Sequence, residues 1–255
     1  MSGMRVVFPV MGTMASIVVA PADQDRHGPA VVGTSLHDAR ALLEQLDQRF
    51  SHYRVDSDIT RWANGDDVGA AATAEIEHVL RECGRLHADS DGVFRARNPR
   101  TGSLDTAGYV KGYAIGRAAS LLRDAGLGNF VVGVGGDAYC AGRAAVERPW
   151  RVAIQDPARS HGVLALVAAS DAAVATSGTA ERGRHIWNGN AIAGSVLRSF
   201  TVVGPDIAQA DAYATIGFAM GEPGAAWVAG HAGYRSLAVR ADGSVVTDAA
   251  LVSAA

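Results

Sequence analysis

The alternation of apolar and polar residues sorts the chain into short strands and a few long amphipathic helices. Residues 6–10 and 15–19 alternate around Met11-Gly12-Thr13, which predicts two strands joined by a turn. Residues 21–34 (PADQDRHGPAVVGT) are rich in turn formers and predict a surface loop. Ser35-Leu36-His37-Asp38 then reads as a capping box, and Leu36, Ala39, Leu42, Leu43, Leu46 and Phe50 follow at helical spacing. Asp56 or Ser57 can cap a short helix that stops at Asn64-Gly65. Residues 74–88 place Ile76, Val79, Leu80, Cys83 and Leu86 on one side of a further helix.

A loop-rich passage at 89–105 leads into a helix predicted over 108–124, with Gly126 just past its end. Strand-like runs follow at 129–134, 138–141, 150–154, 162–168, 172–175 and 200–203. Asp206 opens a helix carrying Ile207, Ala210, Ala214 and Phe218 and closed by Gly221, and a hairpin turns at Ala241-Asp242-Gly243. Strands succeed one another without intervening helices. The expected class is therefore α+β, with mixed, largely antiparallel sheets flanked by helices. Neither an internal repeat nor a linker divides the chain, so 1–255 is expected to be one domain.

Composition narrows the function without naming it. A chain of 255 residues, 48% hydrophobic and 19% charged, can bury a sizeable core. A net charge of −3 and a pI near 6.2 give no basic footprint, so nucleic acid is not an expected partner. Cys83 and Cys140 lack metal-site or disulfide spacing and are expected to be buried free thiols. No apolar run reaches the roughly 18 residues of a membrane span. The N-terminus has neither the A-x-A site of a signal peptide nor a lipobox cysteine, which leads to a cytoplasmic expectation for the sequence as given. Lysine and arginine total 23, of which 22 are arginine, leaving Lys111 as the single lysine. In so arginine-biased a chain, a retained lysine suggests a position that wants a compact ammonium on a flexible stem.

Four groups of residues could carry chemistry. Asp105, Gly108 and Lys111 lie just before and within the first turn of a predicted helix, where exposed amides and the helix dipole favour anions. Lys111 suits a phosphate there, and Asp105 a sugar hydroxyl or a metal ion; the same residues also read as a helix cap and a solvated lysine. Asp211 and Thr215 stand one turn apart on an otherwise small and apolar helix, as hard oxygen donors suited to Mg²⁺. A threonine bonded back to its own helix is the alternative. Ser177 followed by His185 suggests a hydrolase pair, but Ala175 replaces the first glycine of a G-x-S-x-G elbow, so His185 is better read as a general base or ligand. Gly133-Val134-Gly135-Gly136-Asp137-Ala138 matches G-x-G-x-x-A, yet too little chain follows for a crossover helix. A tight turn between strands, its amides approaching a ligand, fits better.

Taken in order, seven segments resemble the ApbE family, the FAD:protein FMN transferases, across nearly the whole chain. They are Met11-Gly12-Thr13, Phe50-Ser51-His52-Tyr53, Asp105-x-x-Gly108-x-x-Lys111-Gly112, Gly135-Gly136-Asp137, Thr176-Ser177-Gly178, His185-Ile186 and Ala210-Asp211-Ala212-x-Ala214-Thr215. The resemblance implies an ApbE-like fold and an enzyme that cleaves FAD, attaches FMN to a threonine or serine of an acceptor protein, and releases AMP. It further implies FAD contacts from Met11, Tyr53, Val93, Phe94, Asp105, Lys111 and Ile186. Magnesium would be held by Asp211, Thr215 and a backbone oxygen near Gly108, with Ala214 close by. The catalytic roles fall to Asp211 and to His185, which matches the histidine of the family's H-I motif and would take the proton of the incoming hydroxyl.

This sequence departs from the family pattern in places. Ala107 precedes Gly108 where two glycines are usual, Arg95 follows Phe94 where an aspartate is more common, and Trp187-Asn188-Gly189-Asn190 replaces D-P-x-T-G. It resembles a shortened member. An FAD pyrophosphatase yielding free FMN and AMP, and a non-catalytic FAD-binding protein, are the alternatives. All three require the helix after Asp105 to pack against the helix at 206–220.

Overall fold

The computed structural model describes residues 3–98, 101–159, 162–178, 187–188, 191–192 and 197–248. Strands β1 (Met4–Val10) and β2 (Thr13–Val19) form the expected hairpin. Met11 and Gly12 both take positive φ, 52° and 71°, as a two-residue type I′ turn requires. Methionine in that region is strained, and Asp47 Oδ2 offsets the strain by accepting from the Met11 N–H at 2.9 Å.

The expected loop at 21–34 is instead helical, as α1 (Pro21–His27) and the start of α2 (Pro29–Phe50). Each helix has proline in its first turn, where the missing N–H costs nothing, and Gly28 at φ 80° breaks the chain between them. Ser35, expected as a cap, lies inside α2 with its hydroxyl donating to Val31 O at 3.0 Å. Ser57 caps α3 (Asp58–Ala63) as expected, and α4 (Ala70–Asp89) begins ahead of the predicted start. Helix α5 (Ala107–Asp124) matches its prediction closely.

Strands β3 (Phe130–Val134), β4 (Asp137–Ala141), β5 (Trp150–Gln155), β6 (Val163–Ala169), β7 (Ala172–Gly178), β8 (Trp187–Asn188), β9 (Ala191–Ile192) and β10 (Leu197–Gly204) follow. Helix α6 (Ile207–Met220) is capped by Asp206, whose Oδ1 accepts from Gln209 N. A short helix that the pattern did not predict, α7 (Pro223–Ala229), precedes the hairpin of β11 (Arg235–Arg240) and β12 (Val245–Thr247).

Eight strands make one sheet in the order β1-β2-β3-β4-β7-β10-β11-β12, and every pairing is antiparallel. Strand β7 shows how its centre is covered on both sides. Ala173 and Ala175 join the main core, to which α5 and α6 contribute, whereas Val174 joins Ile154, Val167, Leu237 and Val239 in a second core. The β5–β6 hairpin thus packs on the face opposite the helices. The cysteines are buried and free, and burial pushes both thiols up to about 12, which leaves them inert. Among the described residues no helix is long and apolar enough to cross a membrane.

Candidate functional site

The site is built on the contact between α5 and α6. Helix α6 is buried almost all round, with small residues along much of its length. It meets α5 at Gly112, where a Cβ would stand 2.5 Å from Ile207 O and 2.8 Å from Asp211 Cβ. Only glycine permits so close an approach. The Gly112 N–H donates to Asp211 Oδ2 at 2.8 Å, which joins the two halves that the sequence placed far apart.

Beside this contact lies a cavity of about 780 Å³. Val93, Phe94, Asp105, Gly108, Lys111, Asp211 and Thr215 all line it, together with Gly135, Gly136 and Asp137 of the β3–β4 turn and Ser177 of β7. Phe94 is buried and packs its ring at Gly108. A second cavity of about 420 Å³ is lined by Met11, His52 and Tyr53 and shares Lys111 and Ala107 with the first. The sequence-predicted residues therefore divide between two cavities that meet at the start of α5. Tyr53 is 81% exposed, and Asp105 lies 3.9 Å from the ring nitrogen of His52. Ala214 is buried in the apolar core and does not line either cavity. His185 and Ile186 lie outside the described residues.

Charge on the cavity floor is unbalanced. Lys111 Nζ is 2.7 Å from Asp137 Oδ2 and 3.8 Å from Asp211 Oδ1. Asp137 is 1% exposed and Asp211 2%. Burial pushes the Asp211 carboxyl up to about 7; the Lys111 ammonium and the Gly112 N–H oppose that shift, and the nearby Asp137 adds to it. Two carboxylates thus share one ammonium. Thr215 Oγ1 is 3.1 Å from Ser177 Oγ, which places two hydroxyls in the same cavity; Ser177, weighed as a nucleophile, has Thr215 as its partner.

The donor set suits a hard divalent cation. Asp211 and Thr215 supply hard oxygens, while Asp137 Oδ2 is engaged by the Lys111 ammonium at 2.7 Å. Among the described residues no group of three or more His, Cys, Asp or Glu gathers to hold a metal. A cation there would need substrate oxygens and water to complete its shell, as Mg²⁺ does on phosphates. Four exposed arginines, Arg5, Arg95, Arg97 and Arg151, line the same cavity. Arg95 donates to Gly92 O and Arg97 to Gly102 O, and among the described residues none of the four forms an ion pair with a carboxylate.

Sequence reasoning singled out Gly135-Gly136-Asp137 as a turn but missed the pairing of Asp137 with Lys111. It also missed Asp47, which holds the Met11 turn. A buried aspartate closing a glycine turn was the available signal for the first; nothing in the pattern signalled the second.

Fold and cavity together define a class: an antiparallel α+β protein whose cavity is lined by an ammonium, hard oxygen donors and arginines, groups suited to anionic ligands. The chain belongs to the ApbE family, whose sequence model matches residues 11–97 and 95–237. It is 30% identical over 162 residues to the FAD:protein FMN transferase of Klebsiella pneumoniae (strain 342), covering 57% of this chain and 43% of that one. The FAD:protein FMN transferase of Salmonella typhimurium (strain LT2) is 32% identical over 124 residues, 44% of this chain and 35% of that relative. These matches span less than half the length of either relative. The crystal structure of the ApbE protein from Thermotoga maritima shares the fold, with a TM-score of 0.81 at 20% identity, over 98% of both chains.

Proposed function

We propose that the protein is a Mg²⁺-dependent FAD:protein FMN transferase. The observation that carries this reading is the Gly112–Asp211 hydrogen bond, which brings Lys111 and the Asp211/Thr215 pair to one cavity floor. The names of the relatives support the activity, and the donor set supports the metal. In the reaction, the acceptor hydroxyl oxygen bonds to the FMN-side phosphorus of FAD while the bridging P–O bond breaks. AMP leaves with the bridging oxygen, and the hydroxyl proton passes to a base, for which His185 is our candidate. Asp211, Thr215 and a backbone oxygen near Gly108 would hold Mg²⁺, which when bound neutralises charge on the phosphoryl oxygens. Lys111 binds the pyrophosphate from the start of α5, and Met11 and Tyr53 border the smaller cavity, where another part of FAD is held. The four cavity arginines, none of them ion-paired with a carboxylate among the described residues, favour an acceptor segment with carboxylates near its hydroxyl, since a guanidinium fork matches a carboxylate.

Incubation with FAD, Mg²⁺ and an FMN-accepting domain tests the reading. Covalent flavin fluorescence on the acceptor with stoichiometric AMP is the expected result. Free FMN and AMP, with the acceptor unlabelled, would make the protein a pyrophosphatase, and tight FAD binding without AMP release would make it a flavin carrier.

A further inference from the structure

Lys111 is held by a residue to which nothing yet assigns a role. We propose that Asp137 is a positioning residue that keeps the Lys111 ammonium on the cavity floor and away from Asp211. The inference rests on reading the cavity as the FAD site.

The β3–β4 turn dictates where Asp137 sits. Gly135 and Gly136 form a two-residue connection, and Asp137 is the first residue of β4, paired with Val134. Its carboxylate is almost wholly buried and points in two directions. Oδ1 accepts from the Thr176 N–H at 2.8 Å, which fixes the carboxylate against the neighbouring strand β7. Oδ2 is left facing Lys111 Nζ at 2.7 Å. The holder is therefore rigid, while the lysine stem it holds is flexible.

Asp211 competes for the same ammonium. At 3.8 Å its Oδ1 is the farther partner, so at equal screening Asp137 attracts Nζ about 1.4 times as strongly. Without the charge of Asp137 the stem can swing to Asp211. The ammonium would then sit on the carboxylate that is to hold the metal, and would no longer face the pyrophosphate. Asp137 thus serves two ends through one contact, and it does so through Lys111 alone. That last point separates it from a residue that merely supports the sheet.

A double-mutant cycle tests this, read as FAD affinity from flavin fluorescence quenching in the presence of chelator, so that neither metal nor turnover enters. Asp137→Asn removes the charge but keeps an oxygen for the Thr176 N–H. Asp137→Asn and Lys111→Met are each expected to weaken FAD binding about tenfold, in line with the loss of one charge-assisted contact. The double variant is expected to match Lys111→Met alone. Asp137→Glu, which retains the charge, should stay within about threefold of the wild type. A double variant weakened about a hundredfold, as the product of the two single losses, would overturn the proposal, as would wild-type affinity in Asp137→Asn. Equal damage from Glu and Asn would overturn it too, and this comparison still decides if Asn impairs folding. If the wild-type chain binds no FAD at all, the reading of the cavity fails first and takes this inference with it.

Discussion

Glu75 and Asp211 are both carboxylates drawn into the interior, and their surroundings treat them in opposite ways. Glu75 on α4 receives the Tyr113 hydroxyl at 2.8 Å and ion pairs from Arg49 of α2 and Arg117 of α5. Burial pushes its carboxyl up, but the Tyr113 hydroxyl and the two guanidiniums outweigh that and hold it below the usual carboxylate range. Asp211 shares one ammonium with Asp137 and is pushed up to about 7. With Asp58 of α3, which also pairs with Arg49, the first cluster sets two carboxylates against two guanidiniums and ties α2, α3, α4 and α5 together. The second is short of positive charge and lies in a cavity. Buried charge that balances belongs to the scaffold, and buried charge left unbalanced beside open space marks where a ligand completes the set.

The contrast can be broken by neutralising each carboxylate. Asp211→Asn should lower AMP release about 100- to 1,000-fold, the scale of losing one charge-stabilising group at a reacting centre. Its melting temperature should hold or rise, because the substitution removes an unbalanced buried charge and keeps an acceptor for the Gly112 N–H. Glu75→Gln should do the reverse, costing about 2 kcal/mol in urea titration because Arg117 loses its carboxylate and Arg49 keeps only Asp58, with turnover largely retained. If both variants lose equal stability, the distinction between the clusters fails.

Gly112→Ala probes the ground on which the unbalanced cluster stands. The added methyl meets Ile207 O and Asp211 Cβ, so a destabilisation of about 2 kcal/mol is expected, with weaker FAD binding in the same protein. Acid titration sharpens the balanced side. A carboxyl held below its unfolded value contributes stability that is present above that value and lost as pH falls through the folded one. The wild type should therefore lose more stability than Glu75→Gln on acidification below about pH 4. The smallest effect is expected at the cavity's arginines. Arg95→Ala with Arg151→Ala should raise the KM for an acidic acceptor a few-fold at low salt, leave the KM for FAD unchanged, and lose its effect near 1 M salt.

How much of this was legible depended on how local each signal was. Helices α2 and α5 and strands β3, β4 and β7 follow from residue periodicity, and Asp206 and Gly221 bound α6 as a helix of small and apolar residues. Both halves of the site were visible as donor chemistry on helices. What joins them was not, because the Gly112–Asp211 bond depends on the sheet order that sets α6 beside α5. Pro21 and Pro29 count as turn formers in a local pattern but serve equally well in the first turn of a helix, so the pattern alone does not distinguish α1 and the start of α2 from a loop. Helix α7, at seven residues, is too short for periodicity to reveal. Asp137 was hidden because a glycine turn draws attention to its backbone, whereas its side chain does the holding.

The Gly112–Asp211 hydrogen bond spans 99 residues of chain. A ribosome adding about 5–20 residues per second takes roughly 5–20 s to make that stretch. In the later part of that interval, once Ala141 has been added, the nascent chain contains α5, β3 and β4, so Lys111 can meet Asp137 before Asp211 has been synthesised. The order of birth along the chain gives the lysine to its holder first, and its competitor arrives only when α6 docks to close the cavity.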